Sequence, residues 1–284
     1  MLKAAVEQRT VNGNLHYKRL ELWSANQLVV KALIDHPVAD WVYRRSNERL
    51  SGRALSCAIN ARNHLVRAQL IADHGISNTV AYFCATHATE EAVAAFIASA
   101  KEHGYRKLAG KVNVRDHAQK AVAAAYAQII AGYAQDLKLA VAHDPETDDV
   151  MARVRIGDAD AVYPLRLRLF SFNKNGEDPS SSAAFDAFAS LFPSTEEMVE
   201  RIHKRANFRD QALYAGDEGG PALTRKQLEE GLREHTFLTL GFIWAAMDVI
   251  SHTEQEPFVV QTLGAIASVI NIVRPPKVCK HCRK

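Results

Sequence analysis

The stretch from Ser77 to Lys120 constrains this chain more than any other. Its first half repeats apolar residues at Val80, Cys84, Ala94 and Ala98, flanked by Phe83, Phe96 and Ile97. Steps of three and four residues place side chains on one face of an α-helix. Carried through the middle, the same stripe passes over His87 and Glu91 in the segment His-Ala-Thr-Glu-Glu. A histidine and a carboxylate therefore fall where the pattern expects core. A buried carboxylate without a partner is costly, so it must be paired or protonated. The next helix offers partners in Arg115, Asp116, His117 and Lys120. The pattern predicts two packed helices joined by a polar contact, with Glu91 as its pivot.

The remainder reads as mostly helical. Of 284 residues, 48% are hydrophobic and 24% charged, the composition of a globular protein with enough apolar residues for a core. A net charge of +3 permits nucleic-acid binding without arguing for it. The N-terminus lacks a basic–apolar–small secretory pattern, and no apolar run is long enough to span a bilayer. Four cysteines, two of them isolated at Cys57 and Cys84, do not form a disulfide framework. The expectation is a cytoplasmic protein with reduced thiols and no membrane partner.

Residues 1–20 read as an arm or short hairpin, and residues 21–143 as the first part of a helical bundle. Leu22 to Asp35 predicts an amphipathic helix ended by His36-Pro37. Pro37 opens a second helix through Trp41 and Tyr43. Ser51 to Asp73 predicts a long helix with a stripe at Leu55, Ala58 or Ile59, Leu65, Ala68 or Gln69, and Ala72, stopped at His74-Gly75. Ser77 is an N-cap candidate for the central helix, which runs to His103-Gly104. Asn113 to about Val141 follows, with Val122, Tyr126, Ile129, Tyr133 and Leu137 on one face.

Residues 144–193 change character and predict a small β-hairpin insertion. Leu165, Leu167 and Leu169 alternate with Arg166 and Arg168, the period of a half-buried strand. Residues 194–273 return to helix. Pro193-Ser194-Thr195-Glu196-Glu197 marks one N-terminus, Thr224 caps a second helix to about His252, and Pro257 opens a third to about Val273. Residues 274–284 form a basic tail containing Cys279-x-x-Cys282. The fold class expected is mainly α, a multi-helix bundle with a small β insertion.

Four separated segments together resemble the abortive-infection AbiV family, a branch of the all-helical HEPN superfamily. The first is AINARNHLVRAQLIADHG, with Asn60 and Ala68 at family positions. The second is AYFCATHATEEAVAAFI, with its paired Glu90 and Glu91. The third is RDHAQK, matching at Asp116, His117 and Lys120. The fourth is FRDQALYAG, matching at Arg209, Leu213 and Tyr214. They keep the family order. The family often continues with Gly-Lys after the glutamates, where this chain has Ala92-Val93. The resemblance implies a HEPN-like bundle and a bacterial anti-phage defence role, acting on RNA or the translation machinery. HEPN relatives are often metal-independent ribonucleases with Arg, four to six residues, then His. Arg9 with His16, Arg67 with His74, and Arg274 with His281 fit that spacing here, and Arg67 with His74 is the pair on a predicted helix.

The candidate catalytic set is Glu90, Glu91, His117, Lys120 and Arg209, joined by Asp116 and Tyr214. In the functional reading His117 and a glutamate move protons while Lys120 or Arg209 stabilises a phosphate, general acid–base work worth about 10²–10⁴-fold. The other reading is a buried ion-pair network that fixes helix register. Arg67 and His74 are an alternative catalytic pair, or else a solvated arginine and a helix-terminal histidine. His87 and Glu91 have the i, i+4 spacing of helical metal ligands; the alternative is a hydrogen-bonded core histidine. Glu200 and His203 form the one Glu-x-x-His of the chain, where helical di-metal sites use two. Cys279 and Cys282 are half a zinc site, and Lys280 and Arg283 beside them suit nucleic acid. Arg153, Arg155, Arg166 and Arg168 form an alternating basic face that suits phosphates, or the solvent side of a sheet. Expected partners are RNA or a phage or host protein, with homodimerisation as a further state. The rival functions are a non-catalytic interaction protein and a nucleic-acid adaptor with a zinc-knuckle tail.

Overall fold

A computed structural model of the chain describes residues 2–4, 34–136, 139–156, 159–172, 181–213 and 222–274. Pro37–Arg49 forms α1, where Pro37 takes a first-turn position and the His36 Nδ1 accepts a hydrogen bond from the Val38 N–H at 3.2 Å. Gly52–Asp73 is α2, closed by Gly75 at φ +62°. Asn78–Glu102 is α3, whose first turn is capped by the Ser77 hydroxyl accepting from the Val80 N–H at 3.3 Å. A short α4, Arg106–Ala109, precedes α5, His117–Asp136.

The helical expectations hold, with corrections. The inward face of α2 is Ala54, Cys57, Ala58, Ala61, Leu65, Ala68 and Ala72, and Ile59 faces outward. Small residues dominate because α2 lies closely along α3. The helix expected from Asn113 begins at His117, because the Asp116 Oδ1 accepts from the Ala118 and Gln119 N–H groups and caps it there. It ends at Asp136, and Val141 belongs to a strand. The helix expected over 22–35 lies outside the described residues except for its last two positions. Residues 214–221 and the Cys-x-x-Cys tail also lie outside them.

Helix α3 is the axis of the bundle. It packs mainly against α2 and α8 (Arg225–Val249), and also against α5 and α7 (Thr195–Leu213). From Ala88 to Ala100 every residue but Glu91 is buried. A helix buried all round has no single apolar stripe, so the stripe over His87 and Glu91 does not mark the inside. Glu90 is the core carboxylate, 5% exposed, and Glu91 is half-buried. Helix α8 starts with the capping box Thr224–Gln227, and α9 covers Pro257–Val273.

The insertion is larger than a hairpin. Strands β2 (Ala140–Asp144), β3 (Asp149–Ile156) and β4 (Ala159–Pro164) form an antiparallel sheet in the order β2-β3-β4, with Ala142 opposite Met151 and Arg153 opposite Val162. The Leu/Arg alternation at 165–169 is not a strand. It is an extended pair followed by a 3₁₀ turn at Leu167–Leu169, leading to β5 (Phe170–Phe172), which pairs with β1 (Leu2–Ala4). Helix side chains also hold this backbone. The Asp248 Oδ2 accepts from the Leu167 N–H at 2.8 Å, and the Gln261 amide clamps Phe172 with bonds of 2.9 and 2.7 Å. Helix α6 (Ser181–Ala189) then adds Ala183, Ala184 and Phe188 to the main core. The β2–β3 turn is tied to α1: the Trp41 indole donates to the Asp148 carbonyl at 2.9 Å, and Arg44 and Arg45 grip its carboxylate at 2.6 and 2.7 Å.

Candidate functional site

The first turn of α5 lies against the middle of α3. His117 and Lys120 are three residues apart and point to the same side, onto Glu90. The Lys120 Nζ lies 2.9 Å from the Glu90 Oε2, and the His117 Nδ1 lies 2.7 Å from the same oxygen. A carboxylate only accepts, so the His117 Nδ1 carries a proton that it donates to Glu90. His87, one turn before Glu90 on α3, places its Nδ1 3.7 Å away, beyond a direct hydrogen bond. Burial pushes the Glu90 carboxyl up, but His87, Lys120 and His117 outweigh it and hold it at about 2. Glu90 and Lys120 are dry, whereas the His117 side chain is 39% exposed.

His117 opens onto a polar pocket of about 390 Å³. Asn113, Arg115 and Asp116 reach it from the turn before α5, His203 and Asn207 from α7, and Arg274 from the end of α9. The pocket therefore gathers two imidazoles, two guanidiniums and two amides, with one carboxylate that pairs with Arg274 at 2.9 Å. Such a set can orient an oxyanion and exchange protons with it.

The other candidates lie elsewhere. Glu91 turns toward α2, where the Asn60 amide donates to its Oε2 at 3.5 Å. Arg209 is within α7, its side chain outside the described residues, as is Tyr214. Arg67 and His74 are exposed on α2 and do not reach the pocket, and His74 caps the helix C-terminus. Arg153 lies 3.8 Å from Asp160, both partly exposed, and Arg166 is bonded to Asp149. Arg168 is exposed, and the Arg155 side chain is outside the described residues. Cys279, Lys280, Cys282 and Arg283 also fall outside them. Among the described residues no three His, Cys, Asp or Glu side chains converge as a metal site. Cys57 and Cys84 are buried, and burial pushes both thiols up.

Sequence reasoning missed Asn113, Asn207 and Arg274 as wall residues, and treated His203 only as half of a metal motif. The available signal was positional: His203 follows the buried Ile202 on α7, at the edge of an otherwise charged face. No family model, curated protein or solved structure matches the chain.

Proposed function

We propose that this chain acts on RNA in a bacterial defence role of the AbiV and HEPN kind, cleaving phosphodiester bonds without a metal at the His117 pocket. The observation that carries the reading is that His117, oriented by a buried carboxylate, lines one open polar pocket together with His203 and two arginines. The His117 Nε2 takes the proton of a ribose 2′-hydroxyl. The 2′-oxygen attacks phosphorus, and the bond to the 5′-oxygen breaks as a protonated His203 supplies its proton. Arg115 and Arg274 face the charge that builds on the phosphoryl oxygens. The products are a 2′,3′-cyclic phosphate and a 5′-hydroxyl, and DNA, lacking the 2′-hydroxyl, is not a substrate.

The test incubates purified chain with matched RNA and DNA oligonucleotides in EDTA and identifies the new ends. RNA is cleaved to those ends, and His117→Ala lowers the rate by about 10²–10⁴-fold. Cleavage of DNA, dependence on metal or an unaffected variant rejects the assignment. One observation favours a second reading, a non-catalytic interaction protein: Glu90 and Lys120 are dry and mutually paired, as a network that fixes register would be. Under that reading His117→Ala leaves in-cell growth control unchanged.

A further inference from the structure

On the far side of α5 lies a second hollow of about 250 Å³. Ile130, Leu165, Phe170, Phe242 and Phe258 form much of its wall, with Trp244 beside them. Among the described residues that line it none is charged, and Thr262 is the single polar side chain. Thr262 is 7% exposed, and its hydroxyl has no hydrogen-bond partner among the described residues.

Gly241 lies on this wall within α8. Glycine in a helix interior is destabilising relative to alanine. Gly231, earlier in the same helix, has a packing reason: a Cβ there would lie 2.1 Å from the Tyr82 Cε2. Gly241 has neither a positive φ nor a described neighbour within 4 Å of a Cβ. A side chain there would meet open space at the edge of the hollow.

We propose that this hollow is a binding site for a small, uncharged, mainly apolar molecule carrying one hydrogen-bonding group. Neutral walls exclude a charged ligand, because nothing repays its desolvation. A dry apolar cavity of roughly 150 Å³ accepts benzene, and drug-sized sites begin at roughly 300 Å³. The volume here therefore suits a medium-length alkyl chain or a fused ring pair. Thr262, turned about its χ1, supplies the polar end. The site is separate from the His117 pocket and does not depend on its chemistry.

The probe is 1-octanol, with octanoate as the charged molecule of the same chain length. Added to the full chain, octanol gives a saturable one-to-one change in tryptophan fluorescence, since Trp244 is in the wall, and a rise in melting temperature. Octanoate gives neither. Gly241→Leu fills the hollow and lowers octanol affinity at least about tenfold, with a melting temperature equal to or above that of the parent chain. Ala131→Leu, from the opposite wall, has the same effect on binding and stands in if the first variant fails to fold. Thr262→Val weakens octanol by about 2- to 12-fold. Absence of saturable octanol binding, equal binding of octanoate, or binding that survives in both leucine variants overturns the proposal. A hollow already filled by another part of the chain or by a second copy gives the first of these results.

Discussion

Replacing Glu90 by glutamine keeps the shape of the side chain and removes its charge. Holding the carboxyl at about 2 against an ordinary 4.5 makes its ionised form worth about 3 kcal/mol of folding stability. A second route gives a similar size. Lys120 is 3% exposed, and removing the partner of a buried cation costs about 3–5 kcal/mol. Glu90→Gln is therefore expected to lower the unfolding free energy by about 3 kcal/mol at pH 7. The sign with pH follows from the depressed value. The stabilisation is complete above the unfolded carboxyl's 4.5 and is lost as pH falls toward 2. Urea unfolding of parent and variant at pH 7, 5 and 3 measures this, and the gap narrows at the lowest pH. Adding Lys120→Met to the variant recovers much of the loss, because the double change leaves no buried charge unpaired. A loss below about 1 kcal/mol at pH 7, typical of an exposed ion pair, or a gap that does not change between pH 5 and 3, refutes the view that Glu90 is the ionised centre of the core.

Further outcomes follow from neighbouring contacts. His235 is fully buried between Thr86 and Thr89, at 3.3 and 2.8 Å, and burial holds it well below its ordinary 6.5. The neutral ring is the stable form, so stability falls as pH drops below 6.5. His235→Gln flattens that part of a pH series of melting temperatures, leaving what His64, held at about 4, contributes to the same window. Thr89→Val removes the partner of the His235 Nδ1 and is expected to cost about 1–3 kcal/mol by urea unfolding. The two helix glycines separate cleanly: Gly231→Ala drives a methyl into Tyr82 and costs about 1–3 kcal/mol, whereas Gly241→Ala is neutral or stabilises by up to about 1 kcal/mol. Equal effects at the two positions in thermal melts would contradict the packing of α3 on α8.

Most helix ends are legible in the sequence because they depend on a few local residues. Pro37, Ser77 and Thr224 begin helices where their chemistry says they should, and Gly75 ends one at positive φ. The segment from Leu165 to Phe172 is not legible in this way. Its alternation is real, but Leu167–Leu169 turns as a 3₁₀ helix held by Asp248, and Phe170–Phe172 pairs with Leu2–Ala4 at the other end of the described chain, with Gln261 clamping Phe172. A period of two says that side chains point alternately. It does not say that a neighbouring strand is there to take the hydrogen bonds.

The polar centre was legible in kind but not in detail. The sequence offered Arg115, Asp116, His117 and Lys120 as partners for a carboxylate of α3, and His117 and Lys120 are the two that meet it. It did not say which carboxylate. Successive residues on a helix differ by roughly 100°, so Glu90 and Glu91 must face different neighbours. Glu90 looks to α5 and Glu91 to Asn60 of α2. Choosing between them by hydrophobic pattern requires a solvent side against which to measure the pattern. Helix α3 lacks one over this stretch, being covered by α2, α5 and α8. The same burial explains why the two carboxylates behave differently. Glu90 meets a lysine that is itself dry and must stay ionised to balance it, while Glu91 rests against a neutral amide at the edge of solvent. Only the first can orient His117 toward the pocket, so the chemistry of the site depends on the helix rotation that the sequence pattern left undetermined.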